Sequence, residues 1–438
     1  MATKGDLIQA QSFSQRRLLT AFVSGAPGGK ELEPAKPLRA VIAAVALSIL
    51  VLGVGLFWGL FQPGLPSGWE NGRLVLAKDT GARYVTVDGT LHPVINTASA
   101  RLLIPAESFQ VISTSNDELA DVPLGSTLGI VGAPDALPTP GALANDGWTT
   151  CVTGEGALST QIGSATAASA TDDAVVVSTA DALFVVAGHT RYPVTADHRD
   201  AVLRAVGITS AGSREVPASW INLFDAGSML APLTVTSGEP VGDGQLSTGE
   251  VVHIEGTADD ELFLITDAGE LAALSPLAWQ LYQLGNGPSV HAPTEVPAAR
   301  VSGLPTASTP AGGADWPRES FSELPTDQRS CALLTHDGTA AQTVLATQPS
   351  SAEAETGVHV TAGAGALVYA QAGEDSSRML TLVDSTGTAF PLPGATDDTV
   401  ARLGYSPDDI GSADAGWTAL LPTGPSLTTD AAGKTAGG

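Results

Sequence analysis

Ala82-Arg83-Tyr84-Val85-Thr86-Val87-Asp88-Gly89-Thr90-Leu91-His92-Pro93-Val94, followed by INTASARLL, is the stretch whose reading decides the fold. Apolar and β-branched residues flank Asp88-Gly89, a dipeptide suited to a tight hairpin turn. Asn96 then stands where an N-cap belongs, ahead of an apolar-periodic helix. The syntax is strand, Gly turn, strand, helix. It recurs in residues 183–194 (LFVVAGHTRYPV, then TADHRDAVLRAVG), 262–274 (LFLITDAGELAAL, then SPLAWQLYQLG) and 379–392 (MLTLVDSTGTAFPL, then PGATDDTVARLG). Thr195, Ser275 and Thr396 are the matching N-cap candidates, and Gly207, Gly285 and Gly404 the helix stops. Four ββα repeats are therefore expected.

The turn glycines at 89, 188, 269 and 387 are 99, 81 and 118 residues apart, and each wide gap holds one of the two cysteines, Cys151 and Cys331. The order is repeat, Cys segment, repeat, repeat, Cys segment, repeat. This palindrome suggests two pseudo-symmetric halves. A disulfide suits an oxidising compartment and would close a loop of 179 intervening residues, contributing about 4–5 kcal/mol in the chain-entropy model; two unpaired buried thiols are the alternative.

Upstream, residues 40–61 form a 22-residue stretch without a charged side chain. At about 1.5 Å per residue it matches a hydrocarbon core of about 30 Å. Lys36 and Arg39 precede it, which places residue 1 in the cytoplasm, with Trp58 as an interfacial anchor. A cleaved signal peptide wants a shorter leader, a shorter apolar run and a small-residue cleavage site, none of which fits here. Residues 7–23 read as a helix with Leu7, Leu18, Leu19 and Phe22 near Arg16-Arg17, for docking to a membrane surface or a cytoplasmic partner, ended by the breaker at residues 24–29.

The first 39 residues hold six basic and three acidic side chains, so the remainder carries 14 basic and 43 acidic, a net of −29. Such a surface repels phosphate backbones, which excludes nucleic acid as a partner. Gly29-Lys30 and Gly433-Lys434 lack the upstream Gly of a phosphate loop, and Lys30 is followed by Glu31. His92, His189, His198, His253, His291, His336 and His359 show no metal-ligand spacing, so no metal site and no catalytic residue is expected. The acidic pairs at 172–173, 259–260, 397–398 and 408–409 fall at turns or helix starts, where carboxylates cap N–H groups. Trp69, Trp148, Trp220, Trp279, Trp316 and Trp417 read mostly as core or repeat-interface residues. Residues 133–147, 288–315 and 424–438 read as loops, the last a flexible tail.

Several of these residues together resemble a known family. Asp79-Thr80-Gly81-Ala82-Arg83-Tyr84-Val85, Asp88-Gly89, Leu91-His92-Pro93-Val94, Asn96 and Ser99-Ala100-Arg101-Leu102 are similar to the signature of EccB, a membrane component of actinobacterial type VII (ESX) secretion systems. Gly129-Ile130, Gly132-Ala133-Pro134-Asp135, Trp148 and Cys151 continue the likeness, as do Phe13, Arg16-Arg17-Leu18 and Ala21. It runs from the N-terminal helix through the fourth repeat and is strongest at 69–151. Thr97, where the family often has an aromatic, and the reduced basic cluster near Arg16 depart from it.

The resemblance implies a plasma-membrane protein with a periplasmic α+β domain: an elongated, pseudo-two-fold arrangement of a β-rich core and four repeats similar to wall-binding units, with Cys151 bonded to Cys331. It implies assembly with EccC, EccD and EccE, EccC being the P-loop motor, and a homodimer or higher homo-oligomer. Family members are described as ATPases, but no residues here offer an ATP site, so no cofactor is expected. The resulting division is 1–39 cytoplasmic, 40–61 membrane helix, 62–122 repeat 1, 123–175 core, 176–240 repeat 2, 241–300 repeat 3, 301–365 core, 366–424 repeat 4 and 425–438 tail. The function expected is a structural subunit of the secretion complex; an atypical ATPase and a peptidoglycan-binding module are the alternatives.

Overall fold

The computed structural model describes residues 3–24, 37–60, 65–154, 156–163, 168–258, 260–287, 290–338, 340–351, 355–373 and 377–436. The chain divides into two compact parts, Met1–Gly64 and Leu65–Gly438. The first contains the helices Lys4–Ser24 and Pro37–Leu60. Leu7, Leu18, Leu19 and Phe22 are exposed on the former, and Val41, Ile42, Leu47, Ile49 and Leu52 on the latter. Among the described residues no helix is long and apolar enough to cross a membrane. The side chain of Trp58, Phe61, the breaker at 25–29 and Asp259 lie outside them.

The second part is mixed α/β and rich in strand. Four of its sheets share one plan. In the first, Leu74–Ala77, Arg83–Val87 and Thr90–Pro93 run antiparallel, the helix Thr97–Leu103 follows, and Val111–Thr114 returns parallel to Leu74–Ala77. The second has Ala174–Ser178, Leu183–Ala187, Thr190–Val194, helix Arg199–Ala205 and Arg214–Glu215. The third has Val251–Ile254, Leu262–Ile265, Leu271–Leu274, helix Pro276–Asn286 and Thr294–Val296. The fourth has Ala366–Gln371, Met379–Val383, Ala389–Leu392, helix Asp397–Leu403 and Gly411–Asp414. The expected ββα unit thus omits a strand at each end, and the observed module is βββαβ.

A further segment of each module pairs parallel with its third strand, always at the second residue after the turn glycine: Leu91 with Leu124, Thr190 with Asp225, Leu271 with Thr306 and Ala389 with Thr423. Turn chemistry varies. Asp88 and Gly89 both have positive φ, as a type I′ hairpin requires, whereas in the fourth module Asp384 Oδ1 accepts from the backbone N–H of Thr386 and Thr388 to shape a longer loop.

Asn96, Ser275 and Thr396 accept hydrogen bonds from Ser99, Ala278 and Thr399 as N-caps. Thr195 does not: that helix begins at Arg199 behind His198, whose φ is +58°. Gly404 is the left-handed C-cap of its helix, but Gly285 lies inside Pro276–Asn286 and Gly287 ends that helix. The loop expected at 288–315 contains the last strand of the third module and the helix Ala298–Val301.

Both Cys segments build one central sheet. Its six strands run in the order Gly357–Val360, Leu158–Ile162, Thr149–Val152, Gln328–Asp337, Ala340–Pro349, Ser169–Ala170. Around it the modules pair. Leu102 of the first module shares a core with Leu380, Leu382, Val400 and Leu403 of the fourth. Val202 and Leu203 of the second share one with Leu277 and Leu281 of the third. The stretch expected to be a flexible tail is instead folded: Thr429–Ala432 is helical, Leu427 and Ala432 are buried in the core between the first and fourth modules, and Thr435 bridges to Leu128. Apolar side chains every few residues gave that segment something to bury, which its Gly, Ala and Thr content concealed.

Candidate functional site: a stapled sheet and its anchors

Cys151 and Cys331 face each other across the antiparallel pair Thr149–Val152 and Gln328–Asp337, and they are disulfide-bonded with Cα atoms 3.9 Å apart. Both are buried. The bond therefore joins the two middle strands of the central sheet, one from each Cys segment.

Three tryptophans, each with no exposed surface, fix the modules to this sheet. Trp220, in the short helix after the second module's last strand, donates its indole N–H to Thr150 O at 3.0 Å. Trp417, placed likewise after the fourth module's last strand, donates to Thr343 Oγ1 at 2.8 Å. Trp148 packs edge-on against Trp417 with ring centroids 6.3 Å apart. A buried indole satisfies its donor or loses stability, so these bonds set orientation as well as packing. Asn145 adds a polar clamp: its Nδ2 donates to Asp409 O at 2.8 Å and its Oδ1 accepts from Leu367 N at 2.8 Å. Tyr405 donates to Pro138 O at 2.8 Å, and burial pushes its phenol far above the ordinary range, so it stays neutral. Sequence reading singled out neither residue, because both act across more than 200 residues of chain.

The residues that carry the family resemblance form a hydrogen-bond network. Asn96 Nδ2 donates to Ile130 O at 2.8 Å, and Ile130 N donates to Ser99 Oγ at 2.9 Å. Asp135 accepts from Thr97 N at 3.0 Å and pairs with Arg83, whose guanidinium holds that carboxyl below its usual range. Gly129 has φ +131°, and a Cβ there would meet Ile95 Cγ1 at 2.6 Å. The motif fastens the strand-free segment around residues 129–135 to the helix of the first module.

Other candidates have local roles. His92, His253 and His359 each lie about 3 Å from a backbone carbonyl, and His336 lies between Asp146 Oδ1 (3.1 Å) and Ser412 O (3.0 Å). Among the described residues no group of three or more His, Cys, Asp or Glu could hold a metal. Asp398 pairs with Arg402 along its helix, Asp260 pairs with Arg318, and Asp409 accepts from Ser406 N. Gly433 caps a short helix and Lys434 O accepts from Gly129 N, so this Gly-Lys pair is a packing element.

What these residues define is a β-rich, disulfide-stapled protein whose anchors hold modules to a common sheet. The chain belongs to the EccB family: residues 1–437 match the family described as "Type VII secretion system ESX-1, transport TM domain B". It is 25% identical over 453 aligned positions to the ESX-2 secretion system ATPase EccB2 of Mycobacterium tuberculosis strain H37Rv, covering 90% of this chain and 88% of that protein. A shorter stretch, 26% of this chain and 22% of the relative, is 37% identical to the ESX-3 secretion system ATPase EccB3 of Mycolicibacterium smegmatis. The fold is similar to that of a chain in the structure of an intact ESX-5 inner membrane complex, with TM-score 0.64, 20% identity and coverage of 100% and 96% of the two chains. It is also similar to the structure of the EccB3 dimer from the ESX-3 core complex, with TM-score 0.65, 22% identity and coverage of 82% and 99%.

Proposed function

We propose that this chain is a structural subunit of a type VII secretion inner membrane complex, with residues 1–39 in the cytoplasm, residues 40–61 across the membrane and the rest outside it. The observation that carries this reading is the match of residues 1–437 to the family, which includes both helices as well as the stapled domain. The helix Pro37–Leu60 has 24 residues, about 36 Å at the α-helical rise, and Arg39 stands at its N-terminal end.

The extracytoplasmic part is two related halves, each with two βββαβ modules and three strands of the central sheet. Three features support this: the common strand order, the pairing of module one with four and two with three, and a central sheet in which each half contributes strands to the other's edge. The Cys151–Cys331 bond then lies at the join. The partners are other membrane subunits, EccC, EccD and EccE among them, and a second copy, in keeping with the EccB3 dimer. Linkage to the cytoplasmic motor runs through the exposed apolar face of Lys4–Ser24.

Cross-linking in intact membranes followed by sizing tests this: the chain should run in a large assembly with a P-loop motor subunit, and recovery as a lone monomer would overturn the reading. The naming of relatives as ATPases favours a second reading, ATP hydrolysis. If that activity is intrinsic, it must stay constant per mole of protein through successive purification steps; activity that separates from the chain rejects it.

A further inference from the structure

A cleft of about 770 Å³ opens where the last strand of the second module, Arg214–Glu215, meets the central sheet. Arg214 and Arg329 both line it, with Thr153, Val152, Val216 and Ser350. Arg214 donates Nη2 to Gln328 O at 2.8 Å and Nη1 to Ser330 Oγ at 3.3 Å, which holds the guanidinium in place with two of its five N–H donors. Arg329 is held by Gln348 Oε1 and Ser350 O, both at 3.3 Å. Among the described residues Arg214 has no carboxylate partner; burial and the neighbouring Arg329 charge both pull its proton affinity down. Thr153 contributes a buried hydroxyl oxygen with no hydrogen-bond partner. Glu215, exposed, is the one described carboxylate on the rim.

Two neighbouring guanidiniums and an unsatisfied hydroxyl cost stability unless something compensates them. The corresponding junction of the fourth module is closed, since Asn145 fills the space beside Gly411 and His336 reaches Ser412 O. An open, cationic cleft is therefore not something this packing requires. It is also out of character for a part of the chain with a net charge near −29.

We propose that this cleft binds a carboxylate carried on a polypeptide, either a C-terminal α-carboxylate or an Asp or Glu side chain. A carboxylate matches the guanidinium fork, while Val152 and Val216 suit the apolar neighbours a peptide supplies. The surrounding negative field penalises a phosphate dianion more than a monoanion. The site is independent of membrane topology and of partners in the secretion complex, so its failure would leave that reading standing.

The test is binding to the full chain in detergent by fluorescence anisotropy, with three labelled apolar tetrapeptides and inorganic phosphate as competitor. One peptide has a free C-terminus, one is its amide, and one is amidated with a central Glu. Either carboxylate peptide should bind at least tenfold tighter than the neutral amide, identifying the source. Arg214→Gln should remove that difference with Tm unchanged or raised, while Arg204→Gln, outside the cleft, should retain it. Should Arg214→Gln fail to fold, Arg214→Lys and Thr153→Val must each weaken carboxylate binding at least threefold. Equal binding of acid and amide, displacement by phosphate in preference to carboxylate, or binding insensitive to these variants would overturn the proposal.

Discussion

At the scale of single residues, the clearest dependence is on Cys151 and Cys331, which are 180 positions apart in sequence and face each other in the sheet. Cys331→Ser is expected to cost about 4–5 kcal/mol by the chain-entropy model, read as a lower denaturation midpoint. Wild type treated with reductant should shift the same way, and an unchanged midpoint in both would contradict it. The Arg83–Asp135 pair makes a pH prediction. The folded carboxyl lies below its ordinary value, so its stabilisation is complete above about pH 4 and is lost as pH falls through the depressed folded value. Asp135→Asn should flatten the acid limb of a stability curve, and a limb that keeps its slope would count against the pair. Gly129→Ala should destabilise through both its left-handed φ and the Ile95 contact, and a silent substitution would contradict the geometry.

At the scale of elements, Trp220 and Trp417 are the joints between modules and sheet. Trp417→Ala should cost about 3–5 kcal/mol, because a buried indole and its hydrogen bond disappear together. Trp417→Phe keeps most of the apolar volume and loses the donor, so urea titration should place it between the two; equal loss in both variants would mean that packing alone matters. The hairpins around the turn glycines were legible because Gly with positive φ and alternating apolar residues leave a local signature. The first and last strands of each module were not. Leu74–Ala77 and Val111–Thr114 are four residues each and pair in parallel across an intervening helix, so neither carries a hairpin signal. The start of the second helix was misplaced for a related reason: Thr195 has the chemistry of a cap, but His198 takes the left-handed position before the helix.

At the scale of the whole molecule, residues 425–436 close the first module against the fourth. Truncation after residue 424 should lower Tm by several degrees and expose Leu102, seen as increased binding of a hydrophobic dye. Unchanged melting would restore the reading of this stretch as a loose tail. In the membrane, a thiol-reactive probe that does not cross the bilayer should label a cysteine placed near residue 430 from outside the cell and leave one near residue 5 unlabelled.

The sequence by itself determined the pieces that depend on neighbouring residues: four hairpin-helix patterns, the caps at Asn96, Ser275 and Thr396, an apolar stretch at 40–61, and the acidic surface. Short-range backbone preferences and side-chain periodicity encode these directly. Only the tertiary structure decided which modules share a core, that the two Cys segments exchange edges in one sheet, that the C-terminal segment is packed, and that Arg214 and Arg329 line an open cleft. Those are contacts between residues 100 or more positions apart, and no local propensity carries the energy of a surface that exists only once both sides have folded.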